Sequence, residues 1–227
     1  MSLESGNFSQ EKSKIEVEKE YESFVPKDFK ENPIDYFEKH GSNIKSGKIT
    51  YKDSGEIEED PTAVKDFPVW KNDAGEELFA VGKKVNLSKS QIEKSNDPFY
   101  EYRVMRIAQE FNLPGARPIA KAEKDGTHLI VMEKIRGLRW TDKDALFIKE
   151  KGYTKEDVER LTTEAEIMME NLRQKYESIG LHRTWKVKDM VFDLDIENKV
   201  LRSITPTDWE RTTIDSDKLD KARRVRA

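Results

Sequence analysis

Any chemistry in this chain has to come from carboxylates, lysines, arginines, hydroxyls and three histidines. There is no cysteine, which excludes thiol catalysis, disulfides, zinc fingers and iron–sulfur clusters. The three histidines, His40, His128 and His182, are widely spaced, which argues against a His-rich metal site. What remains is a few short stretches. Lys83 and Lys84 lie in ELFAVGKKV, and Glu101 follows Asp97-Pro98. Glu133 to Gly137 leave the apolar run HLIVM. His182, Arg183, Thr184, Lys186 and Asp189 cluster in GLHRTWKVKD, and Asp208 sits 19 residues beyond Asp189. Each stretch has a plain structural reading: a surface lysine pair, a first-turn glutamate favoured by the helix dipole, a histidine bracing a loop, a Pro206-Thr207-Asp208 turn. Two chemical limits are firm. The Asp189 carboxylate can bind a hard cation through oxygen. The Thr184 hydroxyl has no accessible pKa near neutrality and cannot act as a general base.

The elements that position these residues can be read from about residue 66 onward. FPVWKNDAGEELFAVGKKV predicts strand, turn and strand, with Asn72, Asp73 and Gly75 supplying the turn. Gly82 inside the second strand predicts a bulge. Asp97 is an expected N-cap with Pro98 at the first helical position. Phe99, Val104, Ile107, Ala108 and Phe111 then share one helical face, and Pro114 and Gly115 stop the helix. PIAKAEKDGTHLIVMEKIRG predicts a hairpin turning at Lys124-Asp125-Gly126. Thr154 caps a long amphipathic helix with Val158, Leu161, Ala165, Met168, Leu172, Tyr176 and Ile179 in its stripe, ending at Gly180. Short strands follow at 190–194 and 200–204, around the polar Glu197-Asn198-Lys199. Two hairpins flanking a helix, then a mainly helical part, make an α+β arrangement.

The chain ends differ in character. Overall, 38% of the residues are charged and 35% hydrophobic, and mean hydropathy is -0.86, too polar for a core running through the whole length. The first 60 residues predict a charged extension, partly helical or disordered. FSQEKSKIEVEKEYESF reads as a helix with a thin stripe (Ile15, Val17, Tyr21, Phe24), interrupted by Pro26 and Pro33. The expected organisation is therefore an extension over 1–60, an α+β region over 61–137, a mainly helical region over 138–212 and a charged, irregular tail over 213–227. No apolar run approaches the length of a membrane-spanning helix, and the N-terminus lacks a secretory apolar region. With 41 basic and 45 acidic residues, net charge -4 and pI near 5.7, no nucleic-acid partner is expected. The composition fits a cytoplasmic protein without a membrane partner.

In order and spacing, the quoted stretches resemble the protein-kinase-like fold, in particular small atypical members such as RIO-type kinases and aminoglycoside phosphotransferases. The resemblance covers roughly residues 65 to 212. It implies a small antiparallel-sheet N-lobe with one helix and a reduced, mainly helical C-lobe. ELFAVGKKV looks like the strand whose lysine reaches the phosphates, with Lys83 as the match and Lys84 as the alternative. Glu101 is similar to the glutamate that pairs with that lysine. HLIVMEKIRG looks like the strand and hinge, where backbone from Glu133 through Gly137, Ile135 included, would meet an adenine edge. GLHRTWKVKD resembles the catalytic loop H-R-D-x-K-x-x-N, matching at His182, Arg183 and Lys186. TPTDWERTT looks like the D-F-G segment, with Asp208 as magnesium ligand beside Asp189 and Trp209 as the packing aromatic. ATP and Mg²⁺ are the cofactors this implies.

The departures are as informative as the matches. Thr184 stands where the catalytic aspartate belongs, Asp189 replaces the metal-binding asparagine, and Glu210 replaces glycine. SGKITYKDSGEIEED does not match a glycine-rich phosphate loop, and its acids would repel triphosphate. Only 17 residues follow Glu210, so the second lobe is expected to be minimal, degraded or cut short. Three functions are open at this point. One is a pseudokinase that binds ATP and Mg²⁺, or a protein partner, without efficient phosphoryl transfer. Another is an active atypical phosphotransferase using Asp189 and Asp208. The third is a non-enzymatic interaction protein of unrelated fold.

Overall fold

A computed structural model describes residues 13–45, 49–51, 57–59, 64–85, 87, 95–139, 150–207, 209 and 211–226. It is a mixed α/β structure whose chain divides into two compact units. One comprises residues 1–86 and 119–131, the other 87–118 and 132–227. This division differs from the expected boundaries, because residues before 60 build part of the first unit's core.

The first unit opens with β1 (Lys14–Val17). The sequence predicts a helix here, but Ile15 and Val17 alternate with Lys14 and Glu16, and a period of two suits a strand. β1 pairs antiparallel with a later strand, Ile15 opposite Ala122 and Val17 opposite Ala120. Helices α1 (Lys27–Glu31) and α2 (Pro33–His40) follow. The two prolines expected to interrupt a helix instead begin helices, Pro26 as the residue before α1 and Pro33 at the first position of α2. A proline costs nothing there, since that N–H has no intrahelical partner.

Next come β2 (Ser42–Lys45), β3 (Ile49–Tyr51), β4 (Ile57–Glu59) and β5 (Val64–Asp66). β6 (Trp70–Lys71) and β7 (Glu77–Leu78) form the expected hairpin, whose turn Asn72 closes by accepting from the Glu76 N–H at 2.9 Å. β8 (Ala80–Lys84), β9 (Pro118–Lys124) and β10 (Thr127–Glu133) complete a six-stranded sheet in the order β1-β9-β10-β8-β5-β2. Asp125 and Gly126 both have positive φ, as a tight two-residue hairpin turn requires.

An aromatic cluster fills one side of this sheet. Phe29 and Phe37 from the helices are 0% exposed. Phe67 and Trp70 stack at 5.3 Å, Phe29 lies 5.3 Å from Trp70, and the Trp70 indole donates to the Tyr36 hydroxyl at 3.2 Å. These rings explain Gly82. The register of β8 with β5 runs unbroken through it (Val64↔Lys83, Lys65↔Gly82, Asp66↔Val81), without the expected bulge on that side. Glycine is needed for space instead: a Cβ at 82 would come within 2.7 Å of both Phe37 and Phe67.

The second unit contains α3 (Tyr100–Glu110), β11 (Leu138–Arg139) and α4 (Lys155–Ser178). Asp97 is expected to cap this helix with Pro98 at its first position, but α3 begins at Tyr100 with Phe99 as N-cap and no side-chain cap; Asp97 instead accepts from the Phe99 N–H at 2.9 Å and closes the turn before the helix. Thr154 caps α4 as expected. Its hydroxyl accepts from the Asp157 N–H at 3.2 Å, and Asp157 returns the bond to the Thr154 N–H at 3.0 Å. The buried stripe of α4 is Leu161, Ala165, Leu172 and Tyr176. The helix stops at Gly180, where φ is +84°.

β12 (Leu181–His182), β13 (Met190–Asp195), β14 (Val200–Pro206) and β15 (Thr213–Ile214) follow, with sheet order β11-β13-β14 and β12 paired to β15. The charged tail expected to be irregular is helix α5 (Ser216–Arg226). It buries Leu219, and Arg223 grips Glu110 with two 2.8 Å bonds. α3 is anchored within the same unit, the Tyr100 hydroxyl donating to the Thr212 carbonyl at 2.8 Å.

Candidate functional site

The most developed polar–aromatic cluster lies in the second unit, where the loop after β12 meets the segment after β14. His182 holds the start of that loop by pairing with Thr213, whose hydroxyl donates to the His182 carbonyl at 3.3 Å. Arg183 follows, its guanidinium between two indoles, 5.1 Å from the Trp185 ring and 5.2 Å from the Trp209 ring. Tyr176, from the last turn of α4, packs at 5.3 Å from Trp185 and 5.4 Å from Trp209. The Tyr176 hydroxyl donates to the Pro114 carbonyl. Trp209 is 0% exposed, and the next layer is Gly115, where a Cβ would fall 2.7 Å from the Trp209 ring. A cation over an indole face is stabilising, more so away from water. Burial pushes the Tyr176 phenol well above its ordinary range, with the nearby Arg183 charge opposing.

The end of the loop is tied to the same segment. Val187–Asp189 form one 3-10 turn. The Asp189 carbonyl accepts from both the backbone N–H and the hydroxyl of Thr207, at 3.0 and 3.1 Å. The β13–β14 hairpin sets this meeting, since its register places Met190 opposite Pro206. Thr184 and Lys186 are exposed on the loop between these fixed points, and the Asp189 side chain is half-buried. Asp208 and Glu210 lie outside the described residues. Among the described residues there is no group of three or more His, Asp or Glu side chains placed to share a metal ion.

The other sequence-predicted residues sit elsewhere. Lys83 is half-buried on β8 in the first unit. Its alternative, Lys84, is ion-paired with Glu38, which also binds Lys65 at 2.6 Å. Those two lysines share the face of the aromatic cluster, both lying over the Phe37 ring. Strand alternation puts Lys83 on the opposite face, which separates the roles of the two lysines. The paired lysines hold the Glu38 carboxyl below its ordinary range against the opposing effect of burial. Glu101 stands in the first turn of α3 at 2% exposure.

Glu133 and Ile135, two residues apart, leave β10 side by side. They line a cleft of about 410 Å³ in the second unit with Gly115, Arg117 and Thr205. The Glu133 N–H donates to the Arg117 carbonyl at 2.8 Å. From the sequence, Trp185 and Arg117 carry no expected role, Gly115 is expected only to stop a helix, and Tyr176 is part of an apolar stripe. Nothing in a linear pattern marks residues that meet across such separations. Trp209 alone is expected as a packing aromatic, through the resemblance of TPTDWERTT to a D-F-G segment.

No protein-family model and no curated protein matches this chain. No helix among the described residues is long and apolar enough to cross a membrane.

Proposed function

We propose that this chain is a degenerate kinase-like protein, a pseudokinase that binds ATP with Mg²⁺ and has lost efficient phosphoryl transfer. One observation carries the reading. The Arg183–Trp209 contact and the Thr207–Asp189 bonds clasp the loop that resembles a catalytic loop onto the segment that resembles a metal-binding one. In a phosphotransferase those two segments must meet, because the base and the magnesium ligands act on one phosphoryl group. Support also comes from the sheet, where the Lys83 strand β8 lies beside β10, the strand that leads into Glu133 and Ile135.

In this reading Lys83 meets the phosphates, oriented by Glu101. Backbone at Glu133 and Ile135 meets the adenine edge. Asp189 and Asp208 hold the magnesium. Loss of transfer follows from Thr184: the hydroxyl is exposed at the position of the base and cannot take a proton near neutrality. A nucleotide ligand requires a compartment supplied with ATP, and the cytoplasm is the place this assigns.

The test is a thermal melt with and without ATP and Mg²⁺. A ligand at 100 times its dissociation constant stabilises by about 2.7 kcal/mol. The shift should vanish in Lys83→Met and persist in Thr184→Ala. No shift at millimolar MgATP removes the nucleotide part of the reading. ATP turnover by the natural chain that disappears in Asp208→Ala overturns the loss of catalysis.

A further inference from the structure

The C-terminal helix α5 builds a second feature, independent of the kinase-like reading. A groove of about 550 Å³ runs between α5 and the ends of α3 and α4. Its apolar surface comes from Phe111, Ile179, Ala222 and Val225. Val225 is 83% exposed, the most exposed of the large hydrophobic side chains among the described residues. Leaving such a residue in water on the rim of an apolar groove is unfavourable unless something covers it.

The charges around the groove are one-sided. Lys218, Lys221 and Arg226 line it, and all three belong to α5. Arg226 lies over the Phe111 ring, 5.6 Å from its centre. Neither Lys218 nor Lys221 has an ion-pair partner among the described residues, whereas Arg223 is committed to Glu110. The acid in the lining, Glu177, is already held by Arg173 at 3.1 Å. Of the helix's own acids, Asp220 is offset toward Arg224, away from Lys218 and Val225, and Asp217, one turn before Lys221, makes no ion pair with it among the described residues.

We infer that this groove binds an acidic, amphipathic peptide segment of a protein partner. Apolar side chains of the partner would cover Phe111 and Val225, and its carboxylates would meet Lys218, Lys221 and Arg226. The spread of the cations favours a peptide over a single anionic headgroup. From Lys218 to Arg226 is eight residues, about 12 Å along a helix. One carboxylate or phosphate cannot reach both ends of that row, while a linear chain with repeated acids can. The groove volume is within the range of specific binding pockets, so the apolar part of the contact is large enough to orient the ligand.

The experiment selects random peptides of about a dozen residues, long enough to span the cation row, against the immobilised full chain, with Lys218→Glu/Lys221→Glu and Val225→Asp as counter-selections. All three positions are exposed, and unchanged circular dichroism and melting would show that the variants fold. Enriched peptides should carry net negative charge with apolar residues at helical spacing. A labelled representative should bind in fluorescence anisotropy, more weakly at higher salt. The double lysine variant should weaken binding about tenfold or more, and Val225→Asp by a similar factor. The inference is overturned if the enriched peptides are neutral or basic, or if the variants bind them equally. It is also overturned if no peptide enriches while vesicles of phosphatidylcholine and phosphatidylglycerol bind the natural chain but not the double lysine variant, which would make the groove a lipid contact.

Discussion

The contact between Gly115 and Trp209 can be tested by a double-substitution cycle. Gly115→Ala adds one methyl group, whose carbon would sit 2.7 Å from Cζ2 of Trp209 and 3.4 Å from Cη2. Trp209 is fully buried against Tyr176 and Arg183, so the ring has little freedom to retreat. Overpacking of this kind costs about 1–3 kcal/mol. The unfolded chain works the other way, because replacing glycine by alanine removes about 0.4–1 kcal/mol of its conformational freedom. The net expectation is a loss of about 1–2 kcal/mol in the natural background. Trp209→Phe deletes both clashing carbons. The next neighbour of the new methyl is then the Tyr176 hydroxyl at 3.6 Å, an ordinary contact. In that background Gly115→Ala should be neutral or stabilising by up to about 1 kcal/mol, a coupling of about 1–3 kcal/mol between the two sites. Amide exchange of β13, which shares this unit, reads the stability locally, and urea unfolding followed by circular dichroism reads it globally. If Gly115→Ala costs the same in both backgrounds to within about 0.5 kcal/mol, the two residues are not in contact as described and the packing argument fails.

Other outcomes follow from single features. Thr154→Ala removes the side-chain half of the capping box on α4, the bond from the Asp157 N–H, and should destabilise by about 1 kcal/mol in urea unfolding, with Thr154→Ser restoring most of it. Gly180→Ala should lower the melting temperature more strongly. It combines a left-handed backbone, about 1–2 kcal/mol for alanine, with a Cβ 2.6 Å from the Asp215 carbonyl. The Asp195 carboxyl is pushed down to about 2, first by the Asn198 side chain, then by the Asn198 N–H and Arg202. Its folded value lies below the ordinary 3.8, so its contribution to stability is present above about pH 4 and is lost as pH falls toward 2. Carboxyl NMR titration should find that low midpoint in the natural chain and a return toward 3.8 in Asn198→Ala.

Some elements were legible in the sequence because their physics is local. The Thr154 cap, the stripe of α4, the Gly180 stop and the Asp125-Gly126 turn depend on residues within a few positions of one another. The β1 segment was misread because its apolar residues fit two periods when so few are present, and its pairing with β9 decided between them. The tail was misread for a related reason. α5 is polar almost all round, and it is fixed by Leu219 and the distant Glu110, which no short pattern contains.

The candidate site divides along the same line. The residue types in GLHRTWKVKD and TPTDWE, including a Thr184 hydroxyl that cannot act as a general base near neutrality, are properties of the sequence, since chemistry is set by the side chain itself. Which lysine of the Lys83–Lys84 pair is committed to Glu38, why Gly82 must be glycine, and that Arg183 lies between Trp185 and Trp209 are tertiary facts. They arise from close approach between groups tens of residues apart, and short-range packing forces act only once the fold has brought those groups together.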